Sequence, residues 1–125
     1  MGELLDTNVF LRLVAGNPLP RQVQRALEKP GVECYVSIIT AWEISMKPQI
    51  GLTASATEEL ISSLGFHVLP IHFAHLTALS VLPLNPDHRD PFDRLLIAQA
   101  ISEGLRMISS DTRFSDYKRL RLLWD

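Results

Sequence analysis

The sequence predicts one α/β domain with a three-layer fold, in which helices flank both faces of a central parallel sheet of about five strands. Short apolar runs bounded by Gly, Pro, Asn or Asp alternate with longer segments of helical period, which is typical of β–α units. The 125 residues are 46% hydrophobic and 21% charged, close to the average for a globular domain. Repeats and linkers are lacking, so we expect residues 1–125 to form a single domain.

In the first half of the chain, apolar runs predict strands at residues 3–5 and 33–37. Segments of helical period that end at Pro or Gly predict the helices between and after them. These helices span residues 7–14, 20–28, 39–47 and 55–64.

In the second half, a third strand is expected at residues 66–69 and a helix at 73–81, which ends before Pro83. A polar loop at 85–89 leads into a helix that begins at Pro91 and stops at Gly104. Strands at 106–109 and, more weakly, 120–123 complete the sheet. In such sheets, crossovers are right-handed and ligands bind beyond the carboxyl ends of the strands.

Composition excludes several classes of protein. Apolar runs stay well short of the roughly 18 residues of a membrane span, and the N-terminus lacks the pattern of a secretory signal, so we expect a cytoplasmic protein without membrane contact. The single cysteine, Cys34, cannot form an intramolecular disulfide and is expected as a buried strand residue.

The net charge of −2 gives no argument for nucleic-acid binding by the molecule as a whole. Seven basic residues nevertheless gather in the last third of the chain, where they can line a surface beside an acidic pocket or be ordinary solvated charges. They are Arg89, Arg94, Arg106, Arg113, Lys118, Arg119 and Arg121.

Asp90 and Asp93 stand at the start of one predicted helix, in the sequence Asp-Pro-Phe-Asp-Arg. Asp90 is expected to cap the helix, with Pro91 at the first helical position, where its missing N–H costs nothing. Asp93 fits two interpretations, a capping acid in the first turn or a metal ligand held rigid by that cap.

Three further acids are expected near the same edge of the sheet. Asp6 and Asp111 directly follow the first and fourth strands, and Glu43 lies one turn into the helix that leaves the second strand. Each alone has a structural explanation: Asp6 and Asp111 can cap helices, and Glu43 can pair with Lys47. Together with Asp93 they would repel one another strongly unless a cation neutralised them, so the combination favours a metal site.

Oxygen ligands without Cys or a histidine cluster favour Mg²⁺ or Mn²⁺ over zinc, and such sites serve phosphoryl chemistry. Four short polar residues at the same edge can hold metal-bound waters or phosphate oxygens, or cap helices; they are Thr7, Asn8, Ser109 and Thr112. His72 and His75 are expected to be packing or surface residues, and His88 is a candidate for substrate contact.

Four segments resemble the VapC-type toxins of the PIN-domain family, and the resemblance covers nearly the whole chain in order. The segments are Leu4-Leu5-Asp6-Thr7-Asn8, Trp42-Glu43-Ile44, the run from His88 to Ala100, and Ser110-Asp111-Thr112-Arg113-Phe114. The resemblance implies a PIN-like five-stranded fold and an endoribonuclease dependent on Mg²⁺ or Mn²⁺, the toxin of a type II toxin–antitoxin pair. It also implies an RNA substrate, an antitoxin partner and a homodimer.

Carried over by position, the resemblance implies that Asp6, Glu43, Asp93 and Asp111 form the catalytic, metal-binding set. Asp6 and Asp93 would be the principal ligands, with Asp90 as an adjacent acid and Arg94 as a phosphate contact or a surface charge. The chain departs from the family pattern at Pro48, which should shorten the helix carrying Glu43.

Two alternatives share the fold class. A signalling receiver domain needs an acid at the end of its third strand, where this chain has only apolar residues and Pro70, so that class is disfavoured. A non-catalytic binding module with the PIN fold, in which the acids serve as caps, stays open. The kind of RNA cleaved depends on shape and loop contacts that a sequence does not display.

Overall fold

A five-stranded, all-parallel sheet forms the centre of the computed structural model, which describes residues 2–125. The order of the strands is β3-β2-β1-β4-β5. Their bounds are β1 Gly2–Leu5, β2 Glu33–Ser37, β3 His67–Leu69, β4 Arg106–Ile108 and β5 Leu122–Leu123. The predicted fold class is therefore confirmed, and the first strand of the chain lies at the middle of the sheet.

Six α-helices connect and cover the strands: α1 Thr7–Val14, α2 Arg21–Glu28, α3 Ile38–Ser45, α4 Ala54–Ser63, α5 Phe73–Ser80 and α6 Pro91–Glu103. Each corresponds to a helix predicted from the sequence, with ends that differ by two residues at most. Two short 3-10 helices, Pro48–Ile50 and Thr112–Asp116, were not predicted. Within the described residues, every helix is too short or too polar to cross a membrane.

Two elements differ from their predicted bounds by two residues at one end. Helix α3 ends at Ser45 because Lys47 precedes a proline and leaves the helical region, with φ −120° and ψ 84°. Strand β5 is reduced to Leu122–Leu123 because the preceding residues form a turn, in which Leu120 N–H donates to the Tyr117 carbonyl at 3.0 Å.

The pleat of the central strands divides the core into two layers. Leu4 and Met107 face a cluster built mainly from α6, whereas their neighbours Leu5 and Ile108 face a cluster with Val9 and other residues on the opposite side. Cys34 is buried in the second cluster, as predicted. Helix α6 is buried on all sides over residues 95–100.

A buried chain of hydrogen bonds, here called the polar network, links β2 to α5 and α6. Ser37 Oγ donates to Gln99 Oε1, and Gln99 Nε2 lies 3.2 Å from the Pro70 carbonyl and 3.3 Å from His75 Nδ1. His75 Nδ1 also accepts from the His72 backbone N–H at 3.0 Å, so the proton of a neutral ring lies on Nε2, which contacts Glu103 at 2.7 Å. Ser37 also caps α3 through Ile39 N–H. His75 is therefore a packing residue, as expected.

Candidate metal centre

The four acids singled out from the sequence are placed by strands and helices at the carboxyl edge of the sheet. Asp6 follows the central strand β1, and Asp111 follows its neighbour β4. Glu43 lies in α3, directly after β2 on the other side of β1. Asp93 lies in the first turn of α6. We refer to Asp6, Glu43, Asp93 and Asp111 together as the acidic centre.

Asp6 is the most constrained of the four carboxylates. It is 4% exposed; one oxygen accepts from Thr7 N–H and the other from Ser109 Oγ, both at 2.8 Å. Burial, together with the charges of Asp93 and Glu43, raises its pKa to about 6, although the hydrogen bond from Ser109 acts in the opposite direction. The ionised form of Asp6 is thus less favourable in the folded chain than it is for an exposed aspartate.

Glu43 is 7% exposed and uses only one of its two carboxylate oxygens. Oε2 forms an ion pair with Lys47 Nζ at 2.9 Å, which is the i, i+4 pair considered from the sequence. Oε1 is buried and has no hydrogen-bond partner among the described residues. Burial of a carboxylate oxygen without a hydrogen-bond partner lowers stability, because its hydrogen bonds to water are lost and none replaces them.

Asp93 is held by its neighbours at the start of α6. The Asp90 carboxylate caps the helix by accepting from Phe92 N–H at 2.8 Å and Asp93 N–H at 3.2 Å, so the predicted cap is present. Asp93 Oδ2 lies 3.0 Å from His88 Nε2. Burial raises the pKa of Asp93, with further contributions from Asp90 and Glu43, whereas the His88 hydrogen bond lowers it.

Asp111 is the acid with its own strong partner. Arg113 donates to both of its oxygens, at 2.7 and 3.1 Å, and the Arg113 backbone N–H donates to it at 2.9 Å. These contacts hold the pKa of Asp111 below its usual range. The same guanidinium reaches to within 4.0 Å of Asp93 Oδ2, so Arg113 bridges two acids of the centre.

His88, which the sequence indicated only as a candidate for substrate contact, lies within the acidic centre itself. Its ring is fully buried, close to the rings of Phe114 and Tyr117, at 5.2 and 5.6 Å between centroids. Ligand atoms of His88, Asp93 and Asp111 all lie within 4.8 Å of one another. The only signal in the sequence was its position, five residues before Asp93.

The four short polar residues expected at this edge, and Arg94, differ in what they contact. Ser109 donates to Asp6, and Thr7 Oγ1 lies 2.9 Å from Thr40 Oγ1. Asn8 and Thr112 are exposed. Arg94 binds the Pro83 carbonyl at 2.8 Å and the Tyr117 hydroxyl at 3.3 Å, so its guanidinium anchors the loop before α6.

A divalent cation fits this donor set. The unpartnered Oε1 of Glu43 is a buried acceptor without a donor, and the raised pKa values of Asp6 and Asp93 show like charges brought together in a poorly hydrated place. Hard oxygen ligands of this kind suit Mg²⁺ or Mn²⁺. Among the described residues, the donor atoms that all lie within 4.8 Å of one another come from His88, Asp93 and Asp111, and this group does not include Asp6 or Glu43.

Comparison with known families then gives a match to the PIN domain model over residues 4–120. The chain belongs to the PIN domain family. No curated protein matches the sequence.

Solved structures with this PIN fold cover nearly the whole chain. VapBC2 from Rickettsia felis, bound to a DNA fragment from its promoter, has a TM-score of 0.76 at 16% identity over 100% of both chains. A toxin–antitoxin complex from Klebsiella pneumoniae has a TM-score of 0.70 at 22% identity, over 97% of this chain and 95% of that one. VapBC-5 from Mycobacterium tuberculosis has 0.65 at 17%, over 99% and 98%. The resemblance to VapC-type PIN-domain proteins is thereby confirmed, and at these identities the likeness is one of fold.

Proposed function

We propose that this PIN domain, taken as residues 1–125, is an endoribonuclease that depends on Mg²⁺ or Mn²⁺ and acts as the toxin of a type II toxin–antitoxin pair. The observation that supports it most is the unpartnered, buried Oε1 of Glu43 beside two acids whose pKa values are raised. A fold maintained for structure alone gains nothing from such an arrangement, because each of these features costs stability.

The proposed roles follow from the contacts of each side chain. Asp6, Glu43, Asp93 and Asp111 would hold the cation, which when bound polarises a phosphodiester and lowers the pKa of a bound water. Thr7 N–H and Ser109 orient the Asp6 carboxylate. Asp90 fixes the first turn of α6, so that Asp93 is presented at a constant position.

The alternative, a non-catalytic module with the same fold, is favoured by a specific observation. Asp6 and Asp111 both cap helical turns, and Glu43 pairs with Lys47, so each acid has a local structural use. Those uses leave Glu43 Oε1 without a partner, however, and a cap does not require a carboxylate, since Asn or Ser caps as well.

Cleavage of a structured RNA by the purified chain tests the proposal. We expect hydrolysis with Mg²⁺ or Mn²⁺ and none with EDTA. Loss of a metal ligand should remove several kcal/mol of transition-state stabilisation, so Asp93→Asn should cleave about a thousandfold more slowly. Asp87→Asn, which removes the same charge from an exposed loop residue nearby, should cleave like the parent.

Equal cleavage by the parent and Asp93→Asn would indicate a contaminating nuclease and reject the assignment. Absence of cleavage together with a Mn²⁺-induced rise in Tm would favour the non-catalytic module, since a ligand that binds only the native state stabilises it.

The partners proposed are an antitoxin and a second copy of the chain, since solved structures with this fold are toxin–antitoxin complexes. Exposed apolar side chains offer area for both. On α3, Ile38, Trp42 and Met46 repeat every four residues and are 42%, 52% and 60% exposed, and Phe73 is 88% exposed. Co-expression with a short upstream reading frame, followed by size-exclusion chromatography, measures both associations, and a monomer without a co-purifying protein would oppose this part of the proposal.

A further inference from the structure

Two basic side chains reach into the acidic centre from outside. Lys47 Nζ lies 2.9 Å from Glu43 Oε2, and Arg113 Nη2 lies 2.7 Å from Asp111 Oδ2 and 4.0 Å from Asp93 Oδ2. Three of the four acids are therefore partly neutralised by the chain itself. The fourth, Asp6, has only neutral hydrogen-bond donors.

The acids and the bases of these pairs differ in freedom. The Glu43 and Asp93 side chains are 9% and 15% exposed, whereas those of Lys47 and Arg113 are 45% and 48% exposed. Lys47 stands after the end of α3, outside regular helix, and Arg113 stands in the first turn of a short 3-10 helix. The acidic side chains are held by the core, whereas the basic groups of Lys47 and Arg113 lie at the surface, where ion pairs contribute little stability and break easily.

A divalent cation would compete with both bases for the same oxygens. Its charge is doubled and compact, so it can satisfy several carboxylates of the centre at once, whereas Lys47 contacts one acid and Arg113 two. Displaced from the acids, the two basic groups would still lie beside the centre. A phosphodiester is the anion that a guanidinium and an ammonium there would then bind.

We propose that Lys47 and Arg113 are exchangeable counter-ions, which neutralise the acidic centre in the metal-free protein and are released by metal binding to contact RNA phosphates. The inference rests on the proposed function and adds a recognition element to it. It predicts that Lys47 and Arg113 weaken the binding of the metal and strengthen the binding of RNA.

Isothermal titration of the full chain with Mn²⁺ tests the first effect. Lys47→Gln and Arg113→Gln should each bind Mn²⁺ several-fold more tightly than the parent, because a competing cation has been removed, and the double variant more tightly still. Arg89→Gln removes a positive charge from an exposed residue of the loop before Asp90 and serves as the matched control. Its Mn²⁺ affinity should change less than twofold.

Binding of a hydrolysis-resistant, phosphorothioate-linked oligoribonucleotide, followed by fluorescence anisotropy, tests the second effect. With Mn²⁺ present, both glutamine variants should bind the oligonucleotide several-fold more weakly and with a shallower salt dependence. In EDTA the same substitutions should change RNA affinity little, because the bases are then held by the acids. Lys47→Arg, which keeps the charge, should restore Mn²⁺-dependent RNA binding, and Lys29→Gln, at the opposite edge of the sheet, should bind RNA like the parent.

Each outcome of these two experiments supports or overturns the proposed exchange of counter-ions. Tighter Mn²⁺ binding with weaker RNA binding supports the exchange. Unchanged or weaker Mn²⁺ binding by both glutamine variants overturns it and leaves the nuclease proposal intact, as does RNA binding that falls equally in EDTA and Mn²⁺. A parent chain that binds no Mn²⁺ at all overturns the nuclease proposal and this inference together.

Discussion

The polar network and the acidic centre both bury polar side chains contributed in part by α6, yet they are built in opposite ways. In the polar network, which runs from Ser37 through Gln99 and His75 to Glu103, no buried side-chain donor or acceptor among the described residues lacks a partner. In the acidic centre, like charges lie close together, and two atoms are buried without a hydrogen bond among the described residues: Glu43 Oε1, and Nδ1 of His88, the partner of Asp93.

The comparison indicates that the polar groups of the polar network stabilise the fold, whereas those of the acidic centre are arranged to bind a ligand. A satisfied network rigidifies the helices it joins, since removal of one member leaves the others buried and unpaired. An unsatisfied one costs stability until something binds. The two regions adjoin, because Ser37 caps the helix that carries Glu43 and Gln99 lies in the helix that carries Asp93.

The largest effect on stability is expected from breaking the polar network. Gln99→Leu keeps the volume of the side chain but leaves the buried Ser37 hydroxyl without its acceptor and removes the contacts of Gln99 Nε2 with the Pro70 carbonyl and His75 Nδ1, so the free energy of unfolding should fall by about 3 kcal/mol. Urea denaturation measures this. Gln22→Leu, on the exposed face of α2, should change it by less than about 0.5 kcal/mol, and an equal loss in both variants would refute the distinction.

Removal of the Asp6 charge from the acidic centre should instead raise the free energy of unfolding. The pKa of Asp6 is raised in the folded chain, so the folded state keeps its proton to a higher pH than the unfolded state does. Ionisation between pH 4 and 6 therefore lowers the stability of the metal-free protein. At pH 7.5 in EDTA, Asp6→Asn should raise the free energy of unfolding by about 2 kcal/mol, since Asn still caps α1.

Asp111→Asn is the matched comparison for that experiment. The pKa of Asp111 is lowered by Arg113, so its charged form is the favoured one and the same substitution should reduce stability. If Asp6→Asn and Asp111→Asn shifted the free energy of unfolding in the same direction, the two acids would not differ in the way that their opposite pKa shifts indicate.

The hydrogen bond between His88 and Asp93 is expected to contribute to metal binding by the acidic centre. His88→Phe keeps a ring near Phe114 and Tyr117 but loses the donor to Asp93, so Mn²⁺ affinity should fall about ten- to a hundredfold by calorimetry. His67→Phe, at an exposed position of β3, is the control. Undiminished Mn²⁺ affinity in His88→Phe would mean that Asp93 is oriented by the Asp90 cap alone.

The smallest expected effect is that of pH on metal binding. A carboxylate must lose its proton to bind a metal, and the Asp6 pKa of about 6 places that loss above the usual range for aspartate. Mn²⁺ affinity should fall about tenfold between pH 7.5 and pH 5. An affinity that stays constant down to pH 5 would show that Asp6 ionises normally or does not bind the metal.

Local rules predicted much of this molecule. The strands and helices follow from periodicity and breakers, and the Asp90 cap follows from an Asp-Pro pair before an apolar run. Asp6 and Asp111 were expected at one edge because both follow strands of a parallel sheet, and their strands do pair as neighbours. For the helices and the Asp90 cap, the determining interactions lie within a few residues of one another in sequence.

What was missed depends on contacts between distant residues. The hydrogen bond from Ser37 to Gln99 joins residues 62 positions apart, and no spacing rule connects them. His88 became part of the centre because Phe114 and Tyr117, from a later 3-10 helix and the residue after it, enclose its ring. The 3-10 helices themselves carry too few residues for a periodic pattern.

The pairing of β1 with β4 has a consequence for synthesis of the chain. Asp6 is held by Ser109 Oγ and by the Ile108 carbonyl, which binds the Asp6 backbone N–H at 3.0 Å. Those partners leave the ribosome roughly a hundred residues later, which corresponds to about 5 to 20 s at ordinary rates of translation. A nascent or prematurely terminated chain that lacks β4 therefore carries its first acids without the contacts that organise them. The centre therefore assembles only after β4 and Ser109 have been synthesised.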